Sequence, residues 1–305
     1  MPSMKEIKRR RDSIESTGQI TKAMKLVATV KLQKTREKAE SNQAFFETLY
    51  TTMADILKKS SNIQHKYIRS PLKNENSKKA LVVISANRGL AGGYNANISR
   101  LILSDERFNK DNSIIYAIGR KAKESLQRKG FIIEKDYSDL LEDYDYSDVI
   151  DITKGLLKDY ESGNINEIYL VYTYFKNTVF HVPRILKLMP FDLSDDISKD
   201  EIQKKGFTIK KSQFSDDEKL IMNFEPNEED LITLLVPKYL SSLLNGALLA
   251  AEASENGSRM NAMDSATQNA QDLIQHLSIQ YNRARQGAIT QELTEIVAGA
   301  NAING

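Results

Sequence analysis

Two long stretches with helical spacing bracket a middle that alternates β-rich and helical runs. From Ser3 to about Lys59 the chain has no proline and one glycine, Gly18, and Phe45, Leu49, Met53 and Ile56 step by 4, 4 and 3. That spacing predicts a single helix. Its 57 residues would run roughly 85 Å. Near the other end, Pro237 suits a first helical turn, and no proline follows it. Met263, Ala266, Ala270, Leu273, Leu277, Tyr281, Ala284 and Ala288 then step by 3, 4, 3, 4, 4, 3 and 4. This is the seam of a coiled coil or a long amphipathic helix. From Pro237 to Asn301 it would span roughly 98 Å. Gly246, Ala250, Ala253, Gly257, Ala262 and Ala266 keep much of it slim enough for close approach of a second helix.

Between them, "ALVVIS" (80–85), "SIIYAIG" (113–119), "FIIEKDY" (131–137) and "EIYLVYTYF" (167–175) are β-branched and aromatic. "GRKAKESLQRKG" and "SDVIDITKGLLKDYES" separate them with helical patterns. Strands alternating with helices predict a Rossmann-like α/β domain with a parallel sheet. "TVFHVPRILKLMP", "FTIKK" and "LIMNFEP" read as further edge strands, and linkers fall near 60–78 and 190–218. The segments expected are an N-terminal helix at 1–60, the α/β domain at 78–225 and a C-terminal helix at 226–305. A compact globule of this length has a radius of gyration of roughly 19 Å. Neither terminal helix fits inside it, so both are expected to project and to bury their apolar stripes as an antiparallel coiled coil.

Charge sharpens this picture. The net charge is +2, but residues 1–40 hold eleven Lys/Arg against five acids, whereas residues 134–161 hold ten acids against three lysines. A basic arm suits nucleic acid, a membrane surface or an acidic protein partner. The absence of cysteine excludes a disulfide scaffold and a thiolate metal site. "MPSMKEIKRRRDSI" has no apolar core behind its basic residues, unlike a signal peptide, and no run approaches 18 consecutive apolar residues. The chain is therefore expected not to insert in a membrane.

Candidate chemistry is sparse. "SANRGLAGGYN" follows a strand and opens a helix, where α/β proteins bind phosphates. Its glycines, Gly89, Gly92 and Gly93, match neither G-x-G-x-x-G nor a P-loop. "EDYDYSDVIDIT" resembles the start of a calcium loop at Asp143, Asp145 and Ser147, but Asp148 and Lys154 stand where glycine and glutamate belong. His65, His181 and His276 are far apart, with no metalloprotease or nucleophile-elbow motif. No catalytic, metal or cofactor residue is assigned.

"GQITKAMKLVATVKL" (18–32), "NRGLAGGYN" (87–95), "ASENGSRMNAMDSATQNAQDLI" and "YNRARQGAITQELTEIVAGANAI" resemble the gamma subunit of F-type ATP synthases, in order along the whole chain. The second motif departs from that family at Asn87, where Asp is usual, and at Ala91, often Cys. The resemblance implies a central rotor shaft, non-catalytic itself, inside a ring of alpha and beta subunits. Its foot would stand with an epsilon subunit on a membrane ring of c subunits, at the cytoplasmic face of the cell membrane. It implies ring contacts at Met24, Lys25, Arg259, Gln286, Thr290 and Glu292. After Glu295 no charge appears. The resemblance makes Ile296, Val297 and Ala300 an apolar tip turning in an apolar sleeve. An α/β nucleotide enzyme with a dimerising coiled coil, and a basic coiled coil binding nucleic acid, are the alternatives from other classes.

Overall fold

The computed structural model describes residues 3–59, 66–67, 78–190 and 228–304. The elements run α1 (Met4–Lys59), β1 (Lys78–Ile84), α2 (Tyr94–Ser104), β2 (Ser113–Ile118), α3 (Arg120–Arg128) and β3 (Ile132–Asp136). A short 3₁₀ turn (Ser138–Glu142), α4 (Tyr146–Glu161), β4 (Ile165–Phe175), β5 (His181–Met189) and α5 (Glu228–Asn304) follow. The segments "FTIKK" and "LIMNFEP", the side chains of Met53 and Ile56, and His65 lie outside the described residues. By compactness the chain forms one unit of Met1–Ala28 with Arg259–Gly305 and a second of Thr29–Ser258. Each boundary falls inside a long helix, α1 or α5, not at a linker.

The second unit is the α/β body. Its five strands lie in the order β3-β2-β1-β4-β5, the first four parallel and β5 antiparallel at the edge. The run "ALVVI" is apolar at every position because both faces of β1 are covered. Ala80, Val82 and Ile84 pack with Ile152, Leu156 and Tyr160 of α4 and with Val236, Leu240 and Leu244 of α5. Leu81 and Val83 face Ile98 and Ile102 of α2 and Ala122 and Leu126 of α3. The acidic stretch before α4 is a helix cap and not a calcium loop. The Asp145 carboxylate accepts from the Ser147 hydroxyl and from the backbone amides of Ser147 and Asp148, and the Asp148 carboxylate accepts from the Asp145 amide. Those hydrogen bonds, from the Ser147 hydroxyl first, hold the Asp145 carboxyl below its ordinary range.

Pro237 does not open the C-terminal helix; α5 starts at Glu228 and carries Pro237 inside it. An interior proline costs about 3 kcal/mol. Burying one Val, Leu or Ile returns about 1.5–3 kcal/mol, and Ile232, Val236, Leu240, Leu243 and Leu244 are all at most 4% exposed here. Packing outweighs propensity. The same packing explains why an 18-residue window of α5 reaches a mean hydropathy of 1.3 and is 56% buried within the protein. By length and composition α5 would pass for a membrane span. Its apolar face is the back wall of the sheet.

In the first unit, α1 and α5 run antiparallel. Reading up α1, the Arg11 guanidinium lies over the Tyr281 ring at 5.8 Å and Gly18 sits against Ala270. Next, the Thr21 and Thr267 hydroxyls meet at 2.8 Å and Lys25 reaches Asp264 at 2.5 Å. The shielded positions of α1, Ile7, Arg11, Ile14, Gly18, Thr21, Lys25 and Ala28, step 4, 3, 4, 3, 4 and 3. Those of α5, Met263, Thr267, Ala270, Ile274, Leu277, Tyr281 and Ala284, do the same. This is a heptad seam. It differs from the sequence expectation at Leu273, which is 48% exposed while Ile274 turns inward. A strict heptad requires the step of four from Ala270, and the small Thr267, not Ala266, meets Thr21.

Candidate partner-contact surface

Two places on an α/β protein with coiled-coil helices invite a function, the crevice at the carboxyl ends of the strands and the outer face of the coiled coil. In open α/β sheets ligands bind where strand order reverses, here between β1 and β4. The segments that follow β1 and β2 at this edge are tied to the protein itself. The Ser85 hydroxyl accepts from the Ala122 amide and donates to the Gly119 carbonyl, tying the ends of β1 and β2 together. A Cβ at Gly119 would fall 2.1 Å from the Ser85 carbonyl oxygen, at a φ of +118°. Only glycine fits there. The Asn95 side chain accepts from the Ala86 amide, and Ser258 of α5 donates to the Ala91 carbonyl at 2.7 Å. Among the described residues no group of His, Asp and Glu is placed to hold a metal. His181 on β5 lies against α5, and burial lowers its pKa.

The outer face of the coiled coil is different. Ile20, Leu26 and Val27 on α1 are 61, 61 and 58% exposed. Met24 and Lys25 are half-buried, and Lys25 is the amine that reaches Asp264. Arg259 is half-buried on α5, where α5 enters this unit. Gln286, Thr290 and Glu292 are exposed, with the Thr290 hydroxyl bonded back to the Gln286 carbonyl. The positions therefore form two groups. Asp264, beside Lys25, and Thr290 lie 26 residues apart on α5, roughly 39 Å.

Beyond Ala284 the seam runs out. Arg11 is seven residues from the start of α1 at Met4, so α5 passes that start near Ala288 and continues to Asn304. About 16 residues, roughly 24 Å, extend past it. Every side chain from Arg285 to Gly299 is exposed. Ile289, Leu293, Ile296 and Val297 are 49, 57, 62 and 58% exposed and step 4, 3 and 1, which puts them on one face. Ala300 follows in the same helix, its side chain outside the described set.

A family model described as ATP synthase matches residues 3–303. A protein of Lachnoclostridium phytofermentans named ATP synthase gamma chain is 51% identical over 304 residues, covering all of both chains. The chain belongs to the ATP synthase gamma chain family. A sodium-ion-specific ATP synthase gamma chain of Acetobacterium woodii is 36% identical with 99% of each chain covered. In fold, the chain is similar to a chain from the Euglena gracilis mitochondrial ATP synthase, with TM-score 0.64, 15% identity and 98 and 94% coverage. A chain from the central stalk and c-ring of the Tetrahymena thermophila enzyme gives TM-score 0.58, 22% identity and 81 and 99% coverage. As a member of this family the chain is a gamma subunit of an ATP synthase, a part of that ATPase complex.

The two departures from the family motif now have a local account. The Asn87 amide donates to the Ser138 carbonyl at 2.8 Å, and its oxygen accepts from the Arg120 amide at 3.1 Å. An aspartate accepts but does not donate, so Asn at this position adds a bond that Asp would forgo. Ala91 is 2% exposed, and its backbone carbonyl receives Ser258. Sequence reasoning missed Asp264 as the partner of Lys25 and missed the α1 seam. The signal was there in Ile7, Ile14, Thr21, Ala28, Thr35, Asn42 and Leu49, seven residues apart. Thr and Asn among them hid it from a search for apolar residues.

Proposed function

We propose that this chain transmits torque between an ion-driven ring of c subunits in the membrane and the alpha and beta subunits that bind nucleotide. Within the expected shaft segments 1–60 and 226–305, the coiled coil of 1–28 with 259–305 would carry the torque, and the domain at 78–225 would meet the epsilon subunit and the c-ring on the cytoplasmic face. The observation that supports this most is the coiled coil itself, which closes on a thin seam and presents large apolar side chains outward. Met24, Lys25, Arg259, Gln286, Thr290 and Glu292 would touch the ring at two levels. Ile289, Leu293, Ile296, Val297 and Ala300 would sit in an apolar sleeve at its top, where a tip without charge has no ion pair to break at each step. The chain itself would make no bond and hold no nucleotide; in support, the loop after β1 has no P-loop glycine pattern and is tied down by Asn95 and Ser258. It does not insert in the membrane, because the apolar window of α5 is the wall of its own sheet. The test is to tag this chain, solubilise membranes with a mild detergent, and identify what accompanies it. Alpha, beta, epsilon and c subunits with ATPase activity are expected. A chain recovered alone, or with nucleic acid released by salt, would overturn the reading.

A further inference from the structure

Within the α/β body, α5 crosses the end of the sheet through one short face, Ser254, Gly257 and Ser258, spaced i, i+3 and i+4. The fully buried Ser254 hydroxyl donates to the Thr173 carbonyl of β4 at 3.1 Å. The Ser258 hydroxyl donates to the Ala91 carbonyl in the loop after β1 at 2.7 Å. Between them, a Cβ at Gly257 would lie 2.8 Å from Cε1 of His181 and 3.4 Å from the Phe175 ring. Those two rings face each other across the β4–β5 ladder with centroids 5.7 Å apart. Three contacts from three separate elements thus meet one turn of helix.

The serines differ from several other hydroxyls of the same helix. Ser241, Ser265, Thr290 and Thr294 each bond back to the carbonyl four residues earlier. Ser254 and Ser258 reach across to other elements. Apolar packing alone tolerates small rotations of a helix about its axis; two hydroxyls aimed at fixed carbonyls and a glycine closed on a ring do not. A turn of α5 in either direction breaks both bonds, and in one direction it brings a neighbouring side chain toward the His181 ring. Just after this face, α5 runs on unbroken from Ser258 through Arg259 to Asn304.

We propose that Ser254, Gly257 and Ser258 are positioning residues that key α5 to the sheet, so that torque carried along the helix enters the α/β body at this turn. The inference rests on the central-stalk reading. It is tested in the assembled complex held by its catalytic ring, with a probe on the body at Lys129→Cys, an exposed position in a chain that has no cysteine. The readout is the width of the probe's angular fluctuation during pauses in ATP-driven rotation, a measure of torsional stiffness that a residue serving stability alone would leave unchanged. Gly257→Ala, and separately Ser254→Ala with Ser258→Ala, should widen the distribution. Adding His181→Ala to Gly257→Ala should restore the parent width, because it removes the ring that the new methyl strikes. If Gly257→Ala prevents assembly, recovery of assembly by His181→Ala supports the keyed contact, and its failure contradicts it. Parent width in both variants overturns the proposal while leaving the rotor intact. A parent complex whose probe never turns on ATP overturns the central-stalk reading instead.

Discussion

The α/β body and the coiled coil are held together by opposite kinds of interior. In the body, Leu81, Val83, Ile115, Leu170 and Val171 are fully buried between two layers of helix. In the coiled-coil unit the well-buried hydrophobic residues described are Ile7, Ala28, Met263, Ala270 and Leu277, and much of the remaining seam is Arg, Gly, Thr and Lys. The same unit leaves Met4, Ile20, Leu26, Val27, Leu273, Ile279, Ile289, Leu293, Ile296 and Val297 largely exposed. It shows water twice as many large apolar side chains as it buries hydrophobic ones. The body is a finished domain. The coiled coil keeps an exposed apolar surface of the kind that marks an interaction site, which is where the proposed ring contact falls.

The comparison breaks first at the core. Leu170→Ala should cost the isolated chain about 2–5 kcal/mol, the usual range for a fully buried leucine, read by denaturant unfolding. The half-buried Ile14→Ala should cost clearly less. Equal losses would mean that the coiled coil is as self-sufficient as the body. A smaller effect is expected at the loop after β1. Asn87→Asp removes the donor to the carbonyl of buried Ser138, and an acceptor left without its partner costs about 1–3 kcal/mol. Ionising the new carboxylate adds to this, so the loss should shrink as pH falls toward the ordinary Asp value. The smallest effect belongs to the seam. The Lys25 and Asp264 side chains are 39 and 62% exposed, so Lys25→Ala should cost the isolated chain no more than about 1 kcal/mol. That loss should vanish in high salt. A larger, salt-resistant loss would show that the seam depends on this pair.

The body was more legible in the sequence than the coiled coil, for the same physical reason. "ALVVIS" and "EIYLVYTYF" lie between two helical layers, so burial on both faces leaves a continuous apolar run that needs no knowledge of partners. β1 and β4 appear within two residues of where those runs placed them. The long helices were legible as helices, but the seam was displaced. Leu273 is more apolar than its surroundings and drew the predicted stripe through itself, yet it faces out at 48% exposure. An exposed leucine pulls a stripe drawn by hydrophobicity away from the seam that packing selects. Pro237 misled for a related reason, since a local helix-start signal was overridden by packing of Val236 and Leu240 on the sheet. The proposed contact positions Met24, Gln286 and Thr290 rest on family likeness. Nothing in their own chemistry sets them apart from their neighbours along the helices.

The account stands on the claim that the exposed apolar face is covered in the complex, and the uncharged end of α5 tests it most directly. Val297 and Ala300 are both replaced by Asp, and the variant is measured twice, as the isolated chain and in the assembled complex. In the isolated chain the helix end is solvated, and two surface charges should shift stability by within about 0.5 kcal/mol each. In an apolar sleeve each carboxylate loses its water without gaining a partner, an effective penalty of several kcal/mol per ion. The helix C-terminus adds to that penalty, because its dipole disfavours negative charge. The account predicts an isolated chain that unfolds like the parent and a complex whose yield and ATP hydrolysis collapse, more severely than after deletion of residues 296–305. A double Asp variant that assembles and turns over like the parent would contradict it.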